Sequence, residues 1–213
     1  MPIYGTIGGG LLNSPDRKNF RFQCQQSGHC CCSPNIIVTL TFMDVFDIFL
    51  ALDKDFESLL RKLTFYKLEG NVNEDRRKKL VLPAISSSDG DVIPGIKKIN
   101  GLDCIFYLKP KCLIYRYRPL ACKNYPFTFS GEDREIKFSW AKNAEKTCLG
   151  IGEGDPIDYS YVERNGKVTS DNLNMHTSLI QELNTESANG KPLTVREIIW
   201  IFIVYGEKKR SQK

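Results

Sequence analysis

The chain has 213 residues, of which 41% are apolar and 26% charged, with a net charge of +5. That size suits one domain with a core of its own, and the balance is ordinary for a globular protein. The mild excess of base gives no strong nucleic-acid signal, and no apolar run approaches the roughly 18 residues of a membrane span.

In chain order, residues 1–19 read as irregular, broken by Gly8, Gly9, Gly10 and Pro15. Nothing there resembles a basic stretch leading into an apolar one, so a cytoplasmic location is expected. A cysteine loop follows, closed by Ser33 and Pro34, and residues 36–40 read as a short strand or extended run. Thr41 and Asp44 form a variant capping box. Phe42, Val45, Phe46, Phe49 and Leu50 then recur at helical spacing, which predicts a helix over 42–52. A second helix is expected over 54–63, with Phe56, Leu59, Leu60 and Leu63 inward. Residues 69–79 are charged and expected to be exposed. A strand is expected over 79–85, a turn or loop over 86–91, a strand over 104–108 and a return segment over 112–115. Residues 127–129 and 136–140 read as a hairpin. Helices are expected over 172–183 and 195–205, separated by Gly190 and Pro192, the second opened by a Thr194–Glu197 capping box. The mixture predicts an α+β fold. The expected divisions are an irregular segment over 1–19, a cysteine-rich domain over 20–150 and a helical extension over 151–213 packed on it.

Eight cysteines stand out: Cys24, Cys30, Cys31, Cys32, Cys104, Cys112, Cys122 and Cys148. In a chain of this length without a secretory leader, metal ligation or redox chemistry is the favoured use, with disulfides as the competing one. A thiolate is a soft anionic ligand suited to zinc and to iron–sulfur centres, either of which usually takes four. The paired C-x2-C knuckles of a zinc ribbon are missing, as is the ferredoxin run. Neighbouring residues on an extended strand point to opposite faces, so Cys30, Cys31 and Cys32 cannot all reach one centre there; in a tight loop, which Gly28 would permit, two can converge, or the three serve two sites or leave one as a spectator.

These residues resemble the YkgJ-type cysteine-cluster family of zinc- or iron-chelating domains. Its opening phenylalanine and cysteine loop are matched by Phe22, Cys24, Gly28, Cys30 and Cys31, and its helix start by Thr41 and Asp44. Its later elements are matched by Cys104 with Phe106 and Tyr107, by Cys112 before Arg118–Pro119, by Cys122, by Tyr125-Pro126-Phe127 and by Cys148–Gly150. Ser27 stands where the family has its second cysteine, and Cys32 is extra. The resemblance implies a bound metal, as an iron–sulfur cluster of the four-iron kind or as zinc. The expected ligands are Cys24, Cys30, Cys31, Cys104, Cys112 and Cys122, with Cys148 and Cys32 next. A distant similarity to the flagellin lysine methylase implies a second reading, a protein methylase using S-adenosylmethionine with an iron–sulfur cluster.

Beside the thiols, Arg116, Arg118 and Lys123 could offset thiolate charge. His29 could ligate zinc but reads better as a loop residue, and His176 receives no role. Tyr115, Tyr117, Tyr125, Phe127 and Phe129 would shield a metal from water. Lys208, Lys209 and Arg210 read as a solvated tail. Three classes of function remain: a metal-binding, redox-active protein; the methylase; and an interaction module stapled by disulfides or zinc. A metal ion is the expected partner, with a protein partner or substrate open.

Overall fold

The computed structural model describes residues 21–34, 36–68, 80, 82–130, 137–141 and 143–212. Strand β1 (Arg21–Phe22) leads through the cysteine loop to helices α1 (Phe42–Ala51) and α2 (Phe56–Lys62). Strands β2 (Leu63–Lys67), β3 (Ile85–Ser87) and β4 (Gly90–Ile96) form an antiparallel sheet with β4 in the centre. Two miniature hairpins follow, β5 (Lys98–Ile99) with β6 (Asp103–Cys104), and β7 (Tyr107–Leu108) with β8 (Lys111–Cys112). A 3-10 turn (Tyr115–Tyr117) and helix α3 (Leu120–Asn124) lead to the hairpin of β9 (Phe127–Ser130) and β10 (Lys137–Trp140). Helix α4 (Ala144–Thr147), strand β11 (Ile151–Pro156), and the long helices α5 (Tyr159–Asn189) and α6 (Val195–Ser211) complete an α+β fold. Among the described residues no helix is long and apolar enough to cross a membrane.

Helix α1 starts where its sequence says it must. The Thr41 hydroxyl accepts from the Asp44 N–H, and the Asp44 carboxylate accepts from the Thr41 N–H at 2.9 Å. The helix buries Phe42, Val45, Phe46, Ile48 and Phe49. Helix α6 opens on the expected Thr194–Glu197 capping box and lies directly on α1: a Cβ added at Gly206 would stand 2.4 Å from the Phe46 Cβ. Phe202, Ile198 and Ile199 of α6, Ile180 and Leu183 of α5, and Ile85 and Val92 of the sheet complete one core. Phe106 and Ile114 join that core from the cysteine-bearing hairpins. A second, smaller aromatic cluster (Phe129, Phe138, Trp140) sits under the 127–140 hairpin.

Several expectations change. Residues 36–40 run extended against β4, where the Leu40 N–H donates to the Pro94 carbonyl at 2.9 Å. Among the described residues of the strand expected over 79–85 only Ile85 is strand, and the turn or loop expected over 86–91 is a turn at Ser88–Asp89 whose flanks already pair in β3 and β4. The strand expected over 104–108 breaks at Ile105–Phe106 into two hairpin arms. Helix α5 is far longer than residues 172–183. Lys208, Lys209 and Arg210 form the last turn of α6, and Arg210 reaches back to Asp47 at 2.7 Å. The readings of residues 1–19 and 69–79 lie outside the described residues.

His176 is fully buried on α5 against Phe42 and Phe202. Its Nδ1 accepts from the Phe42 N–H at 3.3 Å, while Nε2 has no partner among the described residues. Burial holds its pKa down at about 3 from an ordinary 6.5. The unfolded chain therefore takes up a proton below pH 6.5 that the folded one refuses until about pH 3. This contribution to stability is complete above 6.5 and is lost as pH falls through that window. In metal-free protein, urea titrations at pH 7 and pH 5 should show a loss of about 2 kcal/mol that His176→Leu does not show.

Candidate metal centre

Four separate stretches of chain bring thiols to one cavity of about 130 Å³. Cys24, Cys30, Cys31, Cys104, Cys112, Cys122 and Cys148 all line it, and all eight cysteines of the chain are free thiols. Cys32 does not line it: its thiol turns away to hydrogen-bond Asp103.

Each stretch is held locally. At Gly28 (φ +76°) the loop turns sharply, so that the N–H groups of Cys31 and Cys32 both donate to the Gly28 carbonyl at 2.9 Å. Gly28 also lies under the Tyr107 ring, where an added Cβ would stand 2.0 Å from the hydroxyl oxygen. The Cys104 N–H donates to the Cys31 carbonyl at 2.8 Å, which ties the first loop to β6. Cys112 faces Tyr107 across the β7–β8 pair. Cys122 sits in α3, whose Leu120 N–H donates to the buried Asp44 carboxylate at 2.7 Å. At the other end of α3, the Asn124 amide donates to Thr169 of α5 at 2.9 Å. Cys148 closes α4, and Cys24 comes near through the bond from the Gln23 N–H to the Gly150 carbonyl at 3.0 Å.

The electrostatics sort the thiols. Cys30 is drawn down to about 7, first by the hydrogen bond with Cys31 and further by the Arg118 guanidinium. Cys31 is pushed up, first by that same bond and then by burial. Cys104, Cys112, Cys122 and Cys148 are pushed up chiefly by burial, with neighbouring thiolates adding to it. Cys30, Cys104, Cys112 and Cys122 all repel one another, and Cys31 repels Cys30, Cys104 and Cys122 as well. Cys148 instead feels Cys30 and Cys24. Among the described residues no three Cys, His, Asp or Glu side chains converge on one single-ion position; the thiols ring the wall.

The cations beside them are Arg118 and Lys98. The Arg118 Nε–H donates to the Tyr115 carbonyl at 3.1 Å, and its guanidinium lies 3.8 Å from the centre of the Tyr115 ring. The Lys98 ammonium donates to the Ser33 carbonyl. Its pKa is lowered by burial, which the surrounding thiolates oppose. Arg116 is exposed, and Lys123 pairs with Asp47 at 3.5 Å on the far side of α3. His29 is exposed at the cavity edge, and Ser27 contributes its carbonyl to the Tyr107 hydroxyl at 3.3 Å. Of the aromatics, Tyr115 and Tyr125 line the cavity, whereas Phe127 and Phe129 belong to the second cluster and Tyr117 is exposed.

Sequence reasoning missed Lys98, Tyr107 and the second task of Asp44. The Thr41–Asp44 spacing signals a helix cap. Nothing in it signals that the other carboxylate oxygen would hold a segment 76 residues away.

The donor set suits a thiophilic cation. Crowded thiols in a half-buried cavity resist ionising together, and a metal removes that resistance by replacing their protons. Zinc or iron affinity should thus fall with pH, by about tenfold per unit for each displaced proton. Competition titrations between pH 8 and pH 6 check this; an affinity indifferent to pH would mean the thiols are not the ligands.

An α+β scaffold carrying such a ring of thiols defines a cysteine-rich chelating protein. The chain belongs to the CxxCxxCC family, described as "Putative zinc- or iron-chelating domain", whose model matches residues 23–149. No curated protein and no solved structure matches the chain.

Proposed function

We propose that the cavity holds an iron–sulfur cluster on Cys30, Cys104, Cys112 and Cys122, and that the protein is redox-active through it. The observation carrying this reading is that these four thiols, from three distant stretches, line a single cavity, close enough for their thiolates to repel one another. A cluster spreads its thiolates over several irons, which suits ligands ringed around a wall better than one tetrahedral ion does. When bound, such a cluster supplies one-electron transfer.

The chain's own residues do the rest. Cys30, near 7, offers a thiolate at neutral pH for the first capture of metal. Arg118, fixed by the Tyr115 carbonyl and ring, offsets the negative charge of the thiolates. Phe106, Ile114 and Val38 give the cavity an apolar lining that limits water. Cys31, Cys24 and Cys148 are spare thiols on the same wall, and Cys32 lies off it.

Single Cys→Ser variants test this assignment. Substitution at Cys30, Cys104, Cys112 or Cys122 should remove most of the iron and colour of anaerobically purified protein. Cys32→Ser should keep both. Full colour in Cys112→Ser together with loss in Cys32→Ser would overturn the ligand set.

A further inference from the structure

Residues 97–123 carry seven cations (Lys97, Lys98, Lys109, Lys111, Arg116, Arg118, Lys123) against one carboxylate, Asp103. That is a net +6 in a chain of net +5, so the remainder of the protein is close to neutral. The same stretch holds Ile99, Leu102, Leu108, Leu113 and Tyr117, half of the large hydrophobic side chains exposed among the described residues. Leu108 and Leu113 are 65% and 64% exposed.

The hairpins explain how both sets arise. Side chains along a strand alternate between faces. In the β7–β8 pair, Tyr107 and Cys112 line the cavity, while Leu108 and Lys111 face solvent. Leu113 points out again beside Cys112, and Ile114 points in. Cys104 and Cys112 therefore hang from the inner face of a wall one backbone thick, whose outer side carries Leu108 and Lys111. Around it Lys97, Lys109, Lys111 and Arg116 of the same stretch are exposed and form no ion pair among the described residues.

We propose that this outer face docks an acidic protein, an electron-transfer partner whose carboxylates ring an apolar centre. The inference rests on the redox reading of the cavity. An apolar centre bounded by charge is the pattern of a protein interface, and opposite charge speeds and orients encounter. Aliphatic side chains on short hairpins make a poor platform for stacking bases, which argues against nucleic acid. Docking here brings a partner's centre within one strand of Cys104 and Cys112, so no opening of the cavity is needed.

The probe is a reduced acidic ferredoxin, mixed with protein whose oxidised centre carries iron-57 and followed by freeze-quench Mössbauer spectroscopy of that label, because the ferredoxin regains visible absorbance as the centre loses it. The reduction rate should fall at least about tenfold as salt rises from about 50 mM to about 500 mM. It should fall as far at low salt in the combined variant Lys97→Glu, Lys109→Glu, Lys111→Glu, Arg116→Glu. Dithionite, itself an anion, should reduce that variant to the same extent as the wild type, which shows its centre intact. A rate indifferent to salt and to the four substitutions overturns the docking face. Binding to phosphatidylserine vesicles or to duplex DNA that the four substitutions abolish, with ferredoxin reduction unchanged, overturns it in favour of a membrane or nucleic acid. Failure of dithionite to reduce wild-type protein contradicts the redox reading instead.

Discussion

Removing the metal lowers the melting temperature by about 10–20 °C, the equivalent of roughly 5 kcal/mol in a chain of this size. The reason lies in how little else holds the thiol-bearing stretches. β5, β6, β7 and β8 are two residues each, too short to stand as independent hairpins. Phe106 and Ile114 fasten them to the core, but Ile99, Leu102, Leu108 and Leu113 stand about half exposed or more and lie outside it. A metal joining Cys30 to Cys104, Cys112 and Cys122 closes long loops at once, and its binding energy becomes folding energy. Calorimetry before and after chelation measures the shift, and Cys122→Ser should reproduce most of it without chelator. Amide exchange at Cys104 and Cys112 should quicken on chelation, while that of Phe46 and Phe202 in the main core changes little. An unchanged melting curve in both experiments would make the cysteines bystanders.

Asp44→Ala should cost about 4 kcal/mol and also weaken metal binding. The carboxylate accepts from the Thr41 N–H at 2.9 Å, the Thr41 hydroxyl at 2.8 Å and the Leu120 N–H at 2.7 Å. All three donors would be left in a buried site, where an unpaired group costs about 1–3 kcal/mol. Leu120 stands two residues before Cys122, so losing its anchor also frees the thiol's helix. Burial raises the Asp44 pKa, and the accepted hydrogen bonds only partly oppose it. Ionised Asp44 is therefore a burden on the fold that is relieved as pH falls toward the ordinary carboxylate value, the reverse of His176. Urea midpoints and zinc or iron content, measured together on Asp44→Ala and Thr41→Ala, separate the two tasks. Thr41→Ala loses the cap alone and should keep its metal. Equal loss of metal in both would mean that Asp44 acts only through α1.

Much of the scaffold was legible because its signals are local. The capping boxes at Thr41 and Thr194, the helical spacing of Phe42, Val45, Phe46 and Phe49, and the 127–140 hairpin appear where the residues put them. The central strand β4 was not legible. Pro94 lacks a donor and normally argues against an inner strand, and Gly90 and Gly95 dilute the signal further. It survives because the extended run at residues 38–40 uses the Pro94 carbonyl and so does not need its N–H. The first half of α5 was missed because residues 159–171 are mostly polar and include Gly166; only Val162, Gly166, Thr169 and Ser170 of that half are buried.

The cysteines were legible as a set and not as an arrangement. Spacing showed that two of Cys30, Cys31 and Cys32 could converge in a tight loop, or one stay a spectator. The turn at Gly28 sends the first two inward and the third out to Asp103. That Cys30 would share one cavity with Cys104, Cys112, Cys122 and Cys148 depends on contacts between stretches distant in sequence, which no local pattern encodes. Lys98 and Tyr107 became visible for the same reason only once the hairpins were folded.

The most direct test of the central claim is the iron, zinc and acid-labile sulfide content of anaerobically purified protein, read together with its visible spectrum. Iron with matching sulfide, and a broad thiolate-to-iron absorption, is the predicted result. Stoichiometric zinc in a colourless protein would contradict it, and the cavity would then be a structural or chelating zinc site.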